Sequence, residues 1–388
     1  MSLINEPLPA MTSHPRKVLF LVTEDWAFWR HRLPMARAAR DAGFAVTVAC
    51  RVNAHRDRIE AEGFRVVALP WNRRGVNPLT EIALLWKVIA LLRAERPALI
   101  HNVAIKPAIH GALAAGFAGS PPVVTTVAGM GWVYASESLK ARLIRPVVTA
   151  LFRLLLNRPE RRLIVQNPDD QAFFVDKSIV QADRIVLIEG SGVDTEQFVP
   201  APEPAGRPSF FYVGRMLRDK GLADLIAATR LLRDRSIPLR VVLVGEPDPG
   251  NPASLSADDL RAWEAAGLVE WWGHRDDVAA VWREAHVAVL PTLYREGVPK
   301  ALLEAGATGR PSIATDMPGC RDLVVDGQTG LLVPPGDAGA LAAAMLALAE
   351  DPPRRVALGA AARERVVARF SSRVVGRQTA AVYRALLP

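Results

Sequence analysis

Cysteine is scarce in this sequence, which carries only Cys50 and Cys320 among its 388 residues. The two are far apart, and neither stands at a spacing typical of metal ligands. A disulfide framework or a cysteine-based metal site is therefore not expected. Two widely separated thiols suit a reducing compartment, so we expect a cytoplasmic protein.

Long apolar runs are also missing. No stretch reaches the roughly 18–20 uninterrupted apolar residues that a membrane-spanning helix requires. The start of the chain, MSLINEPLPAMTSHPRKVLFLV, does not have the pattern of a secretory signal. Half of the residues are hydrophobic and 23% are charged, which indicates a globular chain and not a disordered one. The length suffices for two domains with separate cores.

Charge is unevenly distributed along the chain. Residues 1–190 hold 25 of the 48 Lys and Arg but 16 of the 40 Asp and Glu, a net charge of +9, whereas the remainder is close to neutral. An excess of this sign attracts phosphorylated substrates, anionic lipid headgroups or nucleic acid. No aromatic-basic motif supports nucleic-acid binding, so we do not expect it. Surface arginine without a binding role is the alternative.

Short β-rich runs alternate with helix-length segments along the whole chain. The predicted strands are 17–23, 44–50, 65–70, 98–103, 122–129, 162–167 and 184–190 in the first half, and 210–214, 239–245, 269–273, 286–291, 311–315 and 330–335 in the second. Between the two series lies a Pro-rich tract, 199–209, which we interpret as a linker. This alternation predicts an α/β protein of two doubly wound, Rossmann-like domains.

The predicted domains are residues 1–200 and 201–365, with a last helix over 366–388 that returns toward the first domain. We expect one closing helical segment from about residue 354 to residue 385. Ligands of such sheets bind at the carboxyl ends of the strands, so we expect a cleft between the two domains.

One predicted helix, 138–162, combines cations with apolar residues at helical spacing. Its sequence is SLKARLIRPVVTALFRLLLNRPERR, with seven Lys and Arg against the single acid Glu160. Leu139, Leu143, Val147, Leu151 and Leu154 recur every three or four residues over most of its length. This pattern favours a helix that lies on an anionic membrane surface. A helix packed on the core with a solvated polar face is the alternative, and Pro146 is expected to kink it.

The stretch YREGVPKALLEAGATG (294–309) places two glutamates around a predicted helix start. Pro299 suits the first helical turn, and the main-chain N–H groups that follow predict an anion site. Glu296 is expected at the end of a strand, facing the cleft. Glu304, in the second helical turn, suits the hydroxyls of a ribose. An ion pair between Glu304 and Lys300 is the alternative.

A second polar cluster, YVGRMLRDKG (212–221), also follows a predicted strand. The strand ends at Gly214, and Arg215 and Lys220 flank the loop. Two fixed cations at the carboxyl end of a strand are suited to a diphosphate.

Together, GR-x4-KG, EG-x-P-x4-E and A-x-GRP-x-IA over most of 210–335 resemble the retaining, family-4 glycosyltransferases of GT-B fold. The resemblance implies a hexosyltransferase in which Arg215 and Lys220 hold the donor diphosphate, Glu304 binds the ribose and Glu296 contacts the sugar. It implies that Glu296, Arg215 and Lys220 are the catalytic residues. The donor site that it implies comprises Gly214, Arg215, Lys220, His274, Arg275, Glu296, Gly297, Val298, Pro299 and Glu304.

The sequence contains no Asp-x-Asp triplet, the usual metal-diphosphate clamp of the other glycosyltransferase fold. Protein cations and a helix dipole would then neutralise the leaving group. We therefore expect a metal-independent reaction without a cofactor, with UDP as the expected nucleotide of the donor.

The first half resembles a subgroup that extends a glycan on undecaprenyl diphosphate, for capsule, O-antigen, exopolysaccharide or protein glycosylation. The resemblance rests on DWAFWRHRLPMARAARDAGFAVTVAC, IHNVAIKPAIHGALAA and TTVAGMGWVY. It implies an acceptor site of Arg32, Lys106, Gly129 and Gly131, in which Arg32 and Lys106 meet the carrier phosphates. The loop from Gly129 to Gly131 is also expected to face the donor sugar. Ala128 departs from the Thr or Glu common in the subgroup, which removes an acid from that position.

These resemblances imply sugar transfer with retention to a lipid-linked glycan, by a protein bound peripherally to the inner face of the cell membrane. His31 and His101 are candidate acceptor contacts, with a packed histidine as the alternative for each. Two other functions are compatible with the architecture: a UDP-sugar 2-epimerase and a non-catalytic protein that binds nucleotide-sugars or glycans.

Overall fold

The computed structural model describes residues 15–72, 75, 77–129, 131–135 and 138–387, with the backbone alone at 132 and 135. Residues 1–14, the start of the chain in which no secretory signal was found, lie outside the described residues. So does Met130 of the predicted sugar-facing loop. The chain divides into two compact units: residues up to Thr125 with the segment from Thr379, and Thr126–Gln378. The predicted boundaries at residues 200 and 365 divide the chain differently and stay predictions.

Two parallel sheets account for all strands in the described ranges. The first contains β1 (Lys17–Glu24), β2 (Ala45–Arg51), β3 (Arg65–Ala68), β4 (Leu99–Val103), β5 (Val123–Val127), β6 (Arg161–Val165) and β7 (Ile185–Leu187). The second contains β8 (Ser209–Val213), β9 (Arg240–Val244), β10 (Glu270–Gly273), β11 (Val287–Leu290), β12 (Ser312–Thr315) and β13 (Gly330–Val333). Each predicted strand overlaps an observed one.

The strand orders are β3-β2-β1-β4-β5-β6-β7 and β10-β9-β8-β11-β12-β13. In both sheets the chain winds outward in one direction and then returns past its first strand to wind in the other. The predicted α/β class with doubly wound sheets is therefore confirmed. The order reverses between β1 and β4 in one sheet and between β8 and β11 in the other, and ligands of this fold bind at such switch points.

Helices connect the strands, as parallel pairing requires. In the first half they are α1 (Asp25–His31), α2 (Leu33–Asp41), α3 (Arg56–Ala61), α4 (Pro78–Glu95), α5 (Ile105–Gly116), α6 (Gly131–Ala135), α7 (Leu139–Leu156) and α8 (Pro168–Asp176). In the second half they are α9 (Leu222–Asp234), α10 (Ala257–Ala265), α11 (Val278–Arg283), α12 (Lys300–Ala307), α13 (Cys320–Leu323), α14 (Ala338–Glu350), α15 (Pro352–Arg365) and α16 (Ser372–Leu386).

The central strands are apolar along most of their length, as expected where helices cover both faces of a parallel sheet. Val18 to Leu21 of β1 are completely buried, as are Phe210 to Tyr212 of β8. Asn167 and Ser256 directly precede α8 and α10, and their side chains accept main-chain N–H groups of the first turn. Such caps fix where a helix begins, and hence where the preceding loop ends.

The single closing helix predicted from residue 354 to residue 385 is wrong. A π-helical turn, Val366–Phe370, follows α15, and the chain is extended at Ser371 before α16 begins. The main chain pairs here with Val193, whose N–H donates to the Phe370 carbonyl at 3.0 Å. The N–H of Ser372 donates in turn to the Val193 carbonyl at 2.8 Å. These bonds replace intrahelical ones, so the helix is interrupted.

Arg310 anchors the Pro-rich tract that the sequence suggested as a linker. Its guanidinium is buried, with 1% of the residue exposed. It donates to four carbonyl oxygens at 2.8–3.1 Å, those of Ala201, Pro202, Trp282 and Arg283. Prolines lack the N–H that would pair with neighbouring carbonyls. A planar fork with five donors satisfies several of them at once.

Arg355 makes a second attachment to the same tract. Its guanidinium forms two hydrogen bonds of 2.8 Å with the carboxylate of Glu203. Arg363 donates to the carbonyls of Thr195 and Phe198, just before the tract. The connection between β7 and β8 is therefore fixed to the unit that contains it.

Arg310→Ala should destabilise this unit. The substitution leaves several carbonyls buried without donors, and we expect it to lower the free energy of unfolding by about 3 kcal/mol. The thermal midpoint should fall by roughly 6–10 °C. Arg283→Ala, at an exposed arginine that ends α11, is the matched control and should change the midpoint little. Equal midpoints for the two variants would show that Arg310 does not stabilise the tract.

Candidate active site

Glu296 lies in the loop between β11 and α12, as predicted. Pro299 stands just before α12 in an extended conformation, so the helix begins at Lys300. Pro299 was expected inside the first turn; it precedes that turn by one residue. The fixed φ of proline and its missing N–H are compatible with this position. The loop thus delivers Glu296 and the start of α12 to the carboxyl end of β11.

Lys220 forms a buried ion pair with Glu296, although the two are 76 positions apart in sequence. Thr292 donates its hydroxyl to the same carboxylate at 3.2 Å, and the Lys220 ammonium lies 4.9 Å from the ring centre of Tyr294. Burial opposes the charge on Lys220. The Glu296 carboxylate, together with Tyr294 and Tyr212, outweighs that effect and raises the pKa of Lys220 above its usual value. Lys220 is therefore a fixed cation at physiological pH.

The loop that carries Lys220 packs closely against the end of β11. Gly221 has a φ of 72°, and a Cβ at this position would collide with the carbonyl of Pro291. The N–H of Leu293 donates to the Asp219 carbonyl at 2.8 Å. These contacts hold together the loops after β8 and β11, which flank the switch point of the sheet.

Arg215 lies in the same loop and pairs with Asp248 at 2.9 Å. Its main-chain carbonyl accepts a 2.6 Å hydrogen bond from the Tyr212 hydroxyl. The Arg215 side chain is partly exposed, as binding of a solvent-borne anion requires. Asp248 had not been predicted. The signal available in sequence was its place just after an apolar strand, β9, in the turn EPDPG.

Three glycines allow the Glu296 loop to approach its neighbours. A Cβ on Gly297 would meet the Gln166 side chain, and one on Gly319 would collide with the Gly297 carbonyl. Gly129 has a φ of 68°, and its Cβ would lie 3.1 Å from the Gly297 nitrogen. The predicted sugar-facing loop therefore reaches the Glu296 loop at Gly129. Gly131 begins α6.

The other predicted donor residues lie at the same edge of the second sheet. Glu304 is buried on α12, and Val298 is buried in the loop before it. His274 and Arg275 follow β10 and are exposed. The Arg275 guanidinium lies 5.4 Å from the ring centre of Trp272. Gly214 directly follows β8, and its carbonyl leaves no room for a Cβ at Gly245.

The predicted acceptor cations Arg32 and Lys106 belong to the unit that ends at Thr125. Arg32 is 2% exposed, and burial lowers its pKa to about 10. The Lys106 ammonium donates to the carbonyls of Asn72 and Gly75 and to the Glu81 carboxylate, each at 2.7 Å. All three donors of Lys106 are thus used within the protein, and a phosphate would have to replace one of these bonds. The acceptor role of both residues stays a prediction.

His101 is the packed histidine that the sequence allowed as an alternative. It is completely buried, and its Nδ1 lies 2.5 Å from the hydroxyl of Tyr383. Burial lowers the pKa of His101 to about 3, so the ring is neutral at physiological pH. A side chain enclosed in this way does not contact a substrate.

Two family models match the chain. Residues 17–167 match "Glycosyl transferase 4-like", and residues 207–351 match "Glycosyl transferases group 1". The second match contains Arg215, Lys220, Glu296 and Glu304. The chain belongs to the family-4 glycosyltransferases.

Curated relatives of this glycosyltransferase span most of its length. It is 24% identical, over 88% of its chain and 92% of the relative, to N,N'-diacetylbacillosaminyl-diphospho-undecaprenol alpha-1,3-N-acetylgalactosaminyltransferase of Campylobacter jejuni. It is 28% identical, over 79% of its chain and 81% of the relative, to UDP-Gal:alpha-D-GlcNAc-diphosphoundecaprenol alpha-1,3-galactosyltransferase of Escherichia coli.

A solved structure supports the fold of the glycosyltransferase. HepE of Anabaena, in complex with UDP and glucose, superimposes with a TM-score of 0.76 at 19% identity, over 96% of this chain and 100% of that chain. The predicted GT-B fold is confirmed.

Glu296→Ala in the glycosyltransferase should lower kcat by about 100-fold or more, with little loss of nucleotide affinity. The substitution removes a carboxylate assigned to the sugar and leaves Arg215 in place for the diphosphate. Sugar-transfer kinetics and nucleotide titration calorimetry on the same preparation measure the two effects. Glu284→Gln, at an exposed glutamate after α11, is the control. An equal collapse of nucleotide binding in Glu296→Ala would show that its assigned role is wrong.

Proposed function

We propose that the enzyme transfers a hexose, with retention, from a nucleotide-diphosphate sugar to a lipid-linked glycan at the inner face of the cell membrane. The observation that carries the proposal is the ion pair between Lys220 and Glu296 at the switch point between β8 and β11. A cation and a carboxylate placed there can divide the donor between them. The cation serves the diphosphate, and the carboxylate serves the sugar hydroxyls.

In the proposed reaction, Arg215 and Lys220 bind the donor diphosphate and stabilise the charge that develops on it. The bond between the anomeric carbon and the phosphate oxygen breaks as the acceptor hydroxyl bonds to the same face of the sugar. The departing phosphate oxygen takes the acceptor proton. Glu296 orients the sugar hydroxyls, and Glu304 holds the ribose. UDP is the nucleotide that we expect.

Two protein cations at the diphosphate support a reaction that requires no metal ion. The main-chain N–H groups at the start of α12 add positive potential at the same edge of the sheet. These groups would stabilise the negative charge of the diphosphate that a divalent cation would otherwise neutralise.

Release of nucleotide from a panel of UDP-, GDP- and ADP-sugars in EDTA tests the donor and the metal requirement together. We expect release from one donor, stimulated by a lipid-diphosphate glycan extract and unchanged by the chelator. Loss of activity in EDTA, restored by Mg²⁺ or Mn²⁺, would contradict metal independence. Failure to use any donor, in protein shown to be folded, would favour a nucleotide-sugar-binding role.

The lipid-linked acceptor is supported by relatives and by the surface of α7. The Campylobacter and Escherichia relatives named above act on diphospho-undecaprenol glycans. On α7, Leu139, Leu143, Val147 and Leu154 are 59–73% exposed, whereas Val148 and Phe152 face the core. The exposed apolar side chains lie among Lys140, Arg142 and Arg153. Apolar side chains interleaved with cations suit the interface of an anionic bilayer.

The part of the chain that the structure describes contains no helix long and apolar enough to cross a bilayer. In the proposed function, the exposed face of α7 is the attachment surface. This helix ends at Leu156, so the last cations of the predicted helix 138–162 lie outside it. α7 does pack on the core, as the alternative expected, but its solvated face carries apolar side chains as well as charged ones, which favours the membrane surface.

Leu143→Glu with Val147→Glu should weaken binding to vesicles of mixed phosphatidylglycerol and phosphatidylcholine by about tenfold, because both side chains leave the apolar face. Co-sedimentation measures the partition. Leu231→Glu, at an exposed leucine on α9, is the matched control and should bind like the parent. Binding should also weaken as salt rises. Unchanged binding of the double variant would exclude α7 as the attachment surface.

A further inference from the structure

A polar cluster, two of whose three members are buried, makes hydrogen bonds to the Glu296 loop. It consists of Asn167, Asp170 and Arg295, and we call it the Asp170 cluster. Asn167 is completely buried and precedes α8, where its side-chain oxygen accepts the N–H of Asp170 at 2.7 Å. Its amide nitrogen donates to the Asp170 carboxylate at 3.1 Å and to the Glu296 carbonyl at 3.3 Å. Asn167 thus joins the start of α8 to the main chain of the Glu296 loop.

Arg295 makes the second connection. It donates to the other oxygen of the Asp170 carboxylate at 3.3 Å. Its Nε is buried and has no hydrogen-bond partner among the described residues. Asp170 therefore receives one bond from Asn167 and one from Arg295, which precedes Glu296 directly. The carboxylate thus connects to the residue before Glu296 through Arg295, and it contacts the same Asn167 amide that bonds the Glu296 carbonyl.

Burying the Asp170 carboxylate costs free energy that the start of a helix does not by itself require. Asp170 is 1% exposed, and a buried carboxylate loses its hydration. Asn167 alone caps α8. A charged residue at this position adds the connection to Arg295, and that connection leads to the loop that carries Glu296.

We propose that Asp170 is a positioning residue for sugar transfer, which acts through Arg295 and Asn167 to hold Glu296 where its carboxylate meets Lys220. The inference rests on the proposed function and deepens it. Asp170 does not touch the reacting atoms. Displacement of a catalytic group by about 1 Å can reduce turnover by about 100-fold. Loss of the hydrogen bonds that hold the Glu296 loop should therefore affect kcat more than donor affinity.

The cluster also predicts a pH dependence. The charged groups that face Asp170 are Arg295 and the neighbouring carboxylate of Asp169. Burial raises the pKa of Asp170 to about 6, although Arg295 acts in the opposite direction. Below that pH the carboxyl is neutral and its bond to Arg295 is weakened. The kcat of the parent enzyme should therefore fall as pH decreases through about 6.

Stability should follow the opposite trend. A carboxyl whose pKa is higher in the folded than in the unfolded state stabilises the fold fully below the unfolded value of 3.8. That stabilisation is lost as pH rises through about 6. At neutral pH the ionised Asp170 is thus a cost to folding, and Asp170→Asn should melt no lower than the parent. A residue needed only for structure would show a lower midpoint.

The test compares Asp170→Asn with Asp169→Asn. Asp169 is the adjacent carboxylate on α8, is partly exposed and lies 4.0 Å from Arg321. We expect Asp170→Asn to lower kcat by about tenfold or more, with the donor KM changed less than about threefold, and to lose the acid limb near pH 6. Asp169→Asn should resemble the parent. Combining Asp170→Asn with Arg295→Gln should add little to the larger single effect, because both act on one connection.

Amide hydrogen exchange provides a readout that does not depend on activity. Peptides covering residues 291–299 should exchange faster in Asp170→Asn than in Asp169→Asn. If the parent uses no sugar donor, the proposed function is wrong, but the exchange comparison still tests the cluster. Equal kcat and equal exchange in the two variants would overturn the positioning role.

Discussion

The ion pair between Lys220 and Glu296 is the interaction on which the site depends. Each charge is held away from solvent, and each is acceptable there because the other is present. The pair forms only because β8 and β11 are neighbours in the sheet, although more than seventy residues separate them in sequence. It also requires Gly221, since any side chain there would push the two loops apart. The ion pair therefore depends on both the strand order and Gly221.

The sequence predicted the strands, and the common location of the loops that follow β8 and β11, for physical reasons. Strands covered on both faces are apolar throughout, so runs such as KVLFLV and FFYV stand out from their surroundings. The loops after parallel strands converge at one edge of the sheet. Arg215, Lys220 and Glu296 could therefore be placed together once their strands were recognised.

Features set by contacts between distant segments were not predictable in the same way. The interruption before α16 depends on main-chain bonds to Val193, and nothing in the local sequence indicates such a partner. The helical pattern alone therefore suggested a continuous helix. Asp248 and Asp170 are similar cases, because a carboxylate in a loop or first turn usually faces solvent or caps its own helix. Their arginine partners come from other parts of the chain.

The anchoring of the Pro-rich tract bears on how glycosyltransferases of this fold can be recombined. A chain cut near residue 202 would look like a natural place to exchange halves between relatives. A crossover after residue 202 separates the carbonyls of Ala201 and Pro202 from Arg310, which lies more than a hundred residues further along. A crossover after residue 203 also separates Glu203 from Arg355. A hybrid keeps its junction intact only if both arginines and the tract come from the same parent. A hybrid should therefore take the tract, Arg310 and Arg355 together from one parent, even where the strand pattern suggests a domain boundary within the tract.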